Sequence, residues 1–129
     1  MTARKLTLAL LPTTLAVCRL DPGAPIPDWA LTGPFSSITR TQHELSIICA
    51  QESVPPDVQH EGGWRCLSVT GQLDFEQIGV FASLAGPLAE AGISIFPIAT
   101  YDTDHVLVKD ADLVRAVNVL VEVGHEIRI

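Results

Sequence analysis

Aromatic side chains are 5% of this 129-residue chain, lysine and arginine together number 8, and cysteine occurs 3 times. Each scarcity excludes something. A nucleic-acid surface needs clustered Lys and Arg to meet phosphates, whereas 8 scattered basic residues here stand against 15 acidic ones, with a net charge of −7 and a pI near 4.8. Nucleic acid is therefore not an expected partner. No apolar run reaches the roughly 20 residues that span a bilayer, so no membrane partner is expected either. Cys18, Cys49 and Cys66 are odd in number and lie in apolar, strand-like stretches. That fits reduced core thiols in a cytoplasmic protein better than a disulfide framework.

What the chain does have is apolar residues, 47% of the total, enough for the core of one compact unit or two small subdomains. Arg4 and Lys5, followed by LTLALL and then LAVC ending at Cys18, imitate a secretory leader. Pro12, Thr13 and Thr14 interrupt that run with turn chemistry, and Val17 is bulky for a processing site. Residues 6–11 and 15–20 read instead as two strands of a hairpin. Residues 21–34 are rich in proline and glycine and form a loop, with Pro27, Asp28 and Trp29 opening one helical turn. Two more strands are expected at 35–41 and 44–50, and the proline- and glycine-bearing stretch 51–63 marks the boundary between subdomains 1–61 and 62–129.

The second subdomain carries more pattern. Trp64 to Thr70 reads as a strand. Asp74 and Gln77 have the spacing of a capping box, so a helix is expected from about Phe75. Its core stripe is Ile78, Phe81, Ala82, Ala85, Leu88 and Ala89, with a kink at Pro87 and a stop at Gly92. Residues 93–99 are almost uniformly apolar, as in a strand covered on both faces. The turn TYDTD leads to a strand at 105–108; Asp110 and Asp112 open a second helix with Leu113, Ala116, Val117 and Leu120 on its stripe; Gly124 ends it before a last strand at 125–129. The order is βαββαβ, a ferredoxin-like α+β arrangement.

GVFASLAGPLAEAGISIF followed by ATYDTDHVLV resembles the ACT domains of the CASTOR-type cytosolic arginine sensors and of small bacterial ACT proteins. The resemblance is strong from about Trp64 onward and loose before it, which implies a tandem whose first ACT-like half is degenerate. It implies a non-catalytic sensor that binds a free amino acid where two ACT domains meet, with no cofactor and no metal. Carried over by the resemblance, Ser94 and Ile95 of one domain face Gln77, Gly79, Val80, Thr100, Tyr101 and Asp104 of another. Gln77 stands where arginine-binding members carry a glutamate.

Simple chemistry supports such a site. A helix N-terminus attracts an α-carboxylate near Gln77 to Val80, Gly79 permits close approach, and Asp104 offers a partner for a ligand cation. Only one well-formed ligand-binding motif is present, so a homodimer is expected to supply the facing strand. The plainer readings are a helix cap at Asp74 and Gln77, a packing glycine at 79, and turn-forming aspartates at 102 and 104. Asp102, Asp104 and His105 lack the second cluster that a metal site needs. Two other classes remain open. One is an ACT-like interaction module that regulates a protein partner without a ligand. The other is a small enzyme, although no nucleophile elbow or phosphate-binding glycine loop frames the Ser, His and Asp residues.

Overall fold

The computed structural model of the protein describes residues 5–71 and 78–129. Its packing divides the chain into two units, residues 13–64 and residues 1–12 with 65–129.

The unit 13–64 is built from antiparallel strands. β2 (Leu15–Leu20) pairs with β4 (Leu45–Ala50) on one side and with the first half of β5 (Gln59–Val69) on the other, while β3 (Ser37–Arg40) pairs with β4. The prolines of the long loop leave room only for a 3-10 turn at Asp28–Leu31, where the helical turn was expected. Ala16, Cys18, Ala30, Leu45, Ile47 and Cys49 form the core, flanked by Trp29, Ile38, Val54 and Val58. All three cysteines of the chain are free and buried. Burial pushes the Cys18 thiol up to about 12, with Cys49 beside it reinforcing the rise. It raises Cys49 as well.

The second unit is a sheet with two helices. Within it the strand order is β8 (Glu126–Arg128), β1 (Thr7–Leu10), β5, β7 (Asp104–Lys109) and β6 (Ile95–Ala99). The helices are α1 (Ala82–Glu90) and α2 (Leu113–Glu122), the latter preceded by a 3-10 turn at Asp110–Asp112. Leu8, Leu67, Val69, Val106 and Val108 of the sheet pack with Leu84, Leu88, Ala116 and Leu120 of the helices. Residues i and i+4 of a helix share a face, so one turn of spacing delivers Leu84 with Leu88 and Ala116 with Leu120. Gly92 and Gly124, both at positive φ, end the helices as expected.

Four expectations are corrected. The hairpin of residues 6–11 and 15–20 does not form: β1 pairs with Leu67–Val69 of β5 and, in parallel, with β8, while β2 pairs with residues 59–64. A Pro-Thr-Thr break marks the end of a strand but not its partner. Residues 1–12 accordingly belong with 65–129. The first helix begins at Ala82 rather than Phe75, because Gly79 takes φ +78° and a right-handed helix cannot run through it. The Asp74–Gln77 capping box lies outside the described residues. The buried stripe is therefore Val80, Leu84 and Leu88, and Ile78 is 88% exposed. Finally, β6 is not covered on both faces: Pro97 and Ala99 are exposed, and among the described residues β6 pairs only with β7.

Candidate functional site

The candidate residues fall at the two ends of the β6–β7 hairpin. Ile95 is opposite Val108 and Ala99 is opposite Asp104. Ile95 is thus about 14 Å from the level of Asp104, at ~3.4 Å per residue, and Ser94 precedes it in the chain. The four-residue turn between Ala99 and Asp104 is closed by Thr100, whose amide N–H and hydroxyl both donate to the Thr103 carbonyl at 2.9 Å. Thr103 Oγ1 in turn donates to the Val69 carbonyl at 2.9 Å, fixing the turn to the C-terminal end of β5.

Gly79 and Val80 lie at that same end, in the chain that leads from β5 into α1. Val80 is buried, and Gly79 is exposed with no atom of the described residues within 4 Å of where a Cβ would stand. Tyr101 is 74% exposed. Gln77 is outside the described residues. Gly79, Val80, Thr100, Tyr101 and Asp104 are therefore brought together at one end of the sheet, and Ser94 and Ile95 are not. A single copy of the domain does not unite the full set.

Two histidines hold this end. His105, on β7 next to Asp104, meets Ser68 Oγ at 2.7 Å through Nδ1 and Thr100 Oγ1 at 3.4 Å through Nε2. Burial lowers its pKa, against the upward pull of the Asp104 carboxylate. His125 is only 3% exposed. The Leu6 amide donates to its Nδ1 at 3.0 Å, so that nitrogen is unprotonated and Nε2 carries the hydrogen, which points to the Ser83 carbonyl at 3.0 Å. Pro87 explains the last contact. Proline has no N–H to return to the carbonyl four residues earlier, and that carbonyl is Ser83's. The signal in the sequence was the helical proline, but its remedy lies 38 residues further on in His125.

The amides of Val80, Phe81 and Ala82 have no acceptor among the described residues, since the first helical bond is Ser83 N–H to the Gly79 carbonyl at 3.0 Å. Unbonded amides at a helix start favour a bound anion. Among the described residues, no three His, Cys, Asp or Glu side chains gather in a metal-binding group, and no helix is long and apolar enough to cross a membrane.

Residues 59–122 match the family model described as the ACT domain, and residues 13–57 match a separate model of an N-terminal domain. Along 128 residues the chain is 31% identical to the cytosolic arginine sensor for mTORC1 subunit 1 of Bos taurus, covering 88% of this chain and 39% of that protein. The chain belongs to the ACT-domain family. A solved structure of a protein from Agobacterium tumefaciens superposes on it with a TM-score of 0.92 at 38% identity, over 97% of this chain and 93% of that one. The regulatory subunit of aspartate kinase from Thermus thermophilus shares the fold, with a TM-score of 0.58 at 14% identity over 94% of this chain and 99% of that one. The mixed α+β sheet with two helices is the ACT architecture, here with β1 placed between β5 and β8. The chain spans only 39% of the bovine sensor's length.

Proposed function

We propose that this ACT protein is a non-catalytic, cytoplasmic sensor of a free amino acid, bound where the ACT domains of two copies meet. The separation of the candidate residues carries this reading: Ser94 and Ile95 at one end of the hairpin, and Gly79, Val80, Thr100, Tyr101 and Asp104 at the other. A second copy, related by a two-fold axis, brings the first set of one protomer against the second set of its partner. The open amides at 80–82 then receive the α-carboxylate, and Asp104 receives the ligand's cationic group. Gln77 extends the same end of the site. Ile78 and Tyr101, large side chains left exposed there, suit cover by the facing domain. The similarity to an arginine sensor supports an amino-acid ligand, and a regulated protein partner is the natural recipient of the signal.

A thermal-shift screen of all twenty free amino acids tests the reading. A ligand at about a hundred times its dissociation constant adds roughly 2.7 kcal/mol. At least one amino acid should raise the melting temperature, and its decarboxylated amine should not; equal stabilisation by the amine would refute carboxylate docking. Asp104→Asn should weaken the response about tenfold or more while the protein stays folded, because a buried cation loses its charged partner. Sedimentation with and without the responding amino acid reports on the interface. A monomer that binds at full affinity would remove the two-copy site.

A further inference from the structure

We propose that His125 is the positioning residue of the ligand-binding turn: it holds Gly79 and Val80 in place through Ser83, to which it is hydrogen-bonded. The inference rests on the reading above, in which that turn takes the ligand carboxylate.

Ser83 is the hub of the turn. Its amide donates to the Gly79 carbonyl at 3.0 Å and its hydroxyl donates to the Val80 carbonyl at 2.7 Å. Its own carbonyl, deprived of a helical donor by Pro87, accepts from His125 Nε2 at 3.0 Å. On its other side His125 is fixed by the Leu6 amide at 3.0 Å, and the backbone there is tied as well: the Glu126 amide donates to the Leu6 carbonyl at 2.9 Å, and His125's own amide donates to the Leu120 carbonyl at 3.0 Å. The imidazole is therefore set into the sheet edge and the end of α2, and it reaches out to the first turn of α1. Among the described residues nothing packs over the space of a Gly79 Cβ, and the bonds from Ser83 are what close the turn. The proline thus has a purpose. It frees one carbonyl in the ligand-end turn, and that carbonyl gives the rest of the domain a grip on the turn.

Amide hydrogen exchange on the full chain, with no ligand added, tests this directly. His125→Phe keeps a buried ring but removes both hydrogen bonds; His125→Asn keeps an acceptor for the Leu6 amide but falls short of Ser83; His125→Gln keeps a donor at the reach of Nε2. Exchange at the Ser83, Leu84 and Ala85 amides, whose acceptors are the Gly79 and Phe81 carbonyls, should rise about tenfold in the Phe and Asn variants, the equivalent of one lost hydrogen bond. It should stay near wild type in the Gln variant, and β2 and β4 should be unaffected in all three. If His125→Phe does not fold, the Asn and Gln pair still gives the answer. Unchanged exchange at 83–85, or a rise spread evenly along the chain, would overturn the proposal. The twenty-amino-acid thermal screen, repeated on the Asn variant, should show a response about tenfold weaker than wild type. A wild type that answers to no amino acid would refute the proposed function, whereas a wild type and an Asn variant that answer alike would refute only the role of His125.

Discussion

The two units of this chain put the same β-strand chemistry to different ends. Residues 13–64 make a sheet of antiparallel strands whose core contains two thiols and whose connections are loops and 3-10 turns. The ACT unit adds two α-helices, and with them come helix ends. A β-ladder satisfies its own amides, but a helix leaves its first amides open. That is why the candidate site gathers in one unit. The Val80–Ala82 amides, the anchored turn at 100–103 and the Asp104 carboxylate all belong to it. The unit 13–64 has no counterpart to the α1 start. Its tightest backbone feature, Gly62 and Gly63, is instead filled from within, with the Gln51 side-chain oxygen accepting from the Gly63 amide at 2.6 Å.

The strongest way to break this contrast is to remove core volume from one unit and read both. Leu88, fully buried between the α1 and sheet layers, should cost about 3 kcal/mol as Leu88→Ala, through lost transfer energy and the cavity left behind. β5 gives residues 59–64 to one unit and 65–69 to the other. A shared strand should couple them, so hydrogen-exchange protection at β4 is expected to fall along with that of α1. Loss confined to residues 65–129 would show two units that unfold separately.

A smaller effect separates the units by pH. His105 is neutral in the fold and its pKa lies below the ordinary 6.5, so the unfolded chain binds more protons in that interval. The stability it contributes is complete above about pH 6.5 and is lost as pH falls through that value toward the folded pKa. Cys18 runs the other way: it keeps its proton up to about 12 in the fold but releases it near 9.0 when unfolded. Its contribution is whole below pH 9 and declines as pH rises toward 12. Urea melts between about pH 5 and about pH 10 should show an acid loss that His105→Gln reduces and an alkaline loss that Cys18→Ala reduces, each smaller over that range than the Leu88→Ala effect. Cys66 is also raised by burial, so some alkaline loss should survive in the Cys18 variant. An acid arm untouched in His105→Gln would place the responsible proton elsewhere.

The sequence carried the local part of this structure. Leu113, Ala116, Val117 and Leu120 announced α2, the glycines at 92 and 124 its limits and those of α1, and the Thr-rich turn the hairpin. These are signals read over a few residues. The start of α1 was misread for a local reason, the left-handed backbone of Gly79, and the other misreadings needed a partner distant in the chain. Whether β1 pairs with β2 or with β5 is invisible in either strand, because alternation marks a face and not a neighbour. Apolar residues 93–99 looked like a two-sided strand, yet Pro97 on an edge is compatible with one-sided cover. Pro87 was visible as a break in α1, but His125 answers it only after folding. In the candidate site the residue types were legible, and so was the glycine at 79. The division of those residues between two ends of one hairpin became apparent only with the register.

The finest comparison uses two glycines with the same φ. Gly63, in the unit 13–64, and Gly79, in the ACT unit, both have φ +78°, and neither has an atom of the described residues within 4 Å of an added Cβ. With no steric clash at either site, Gly63→Ala and Gly79→Ala should each cost only the left-handed strain of an L-residue, about 1 kcal/mol. Matched losses in urea melts would establish that Gly63, within β5, and Gly79, in the turn before α1, carry the same backbone strain. Their function should differ. Alanine at 79 places a methyl group where a carboxylate is to approach the 80–82 amides, so the amino-acid thermal shift should shrink in Gly79→Ala. The same shift should persist in Gly63→Ala, despite equal destabilisation. If both variants keep the full response, the amides after Gly79 are not where the ligand docks, and the carboxylate must be received elsewhere on the domain.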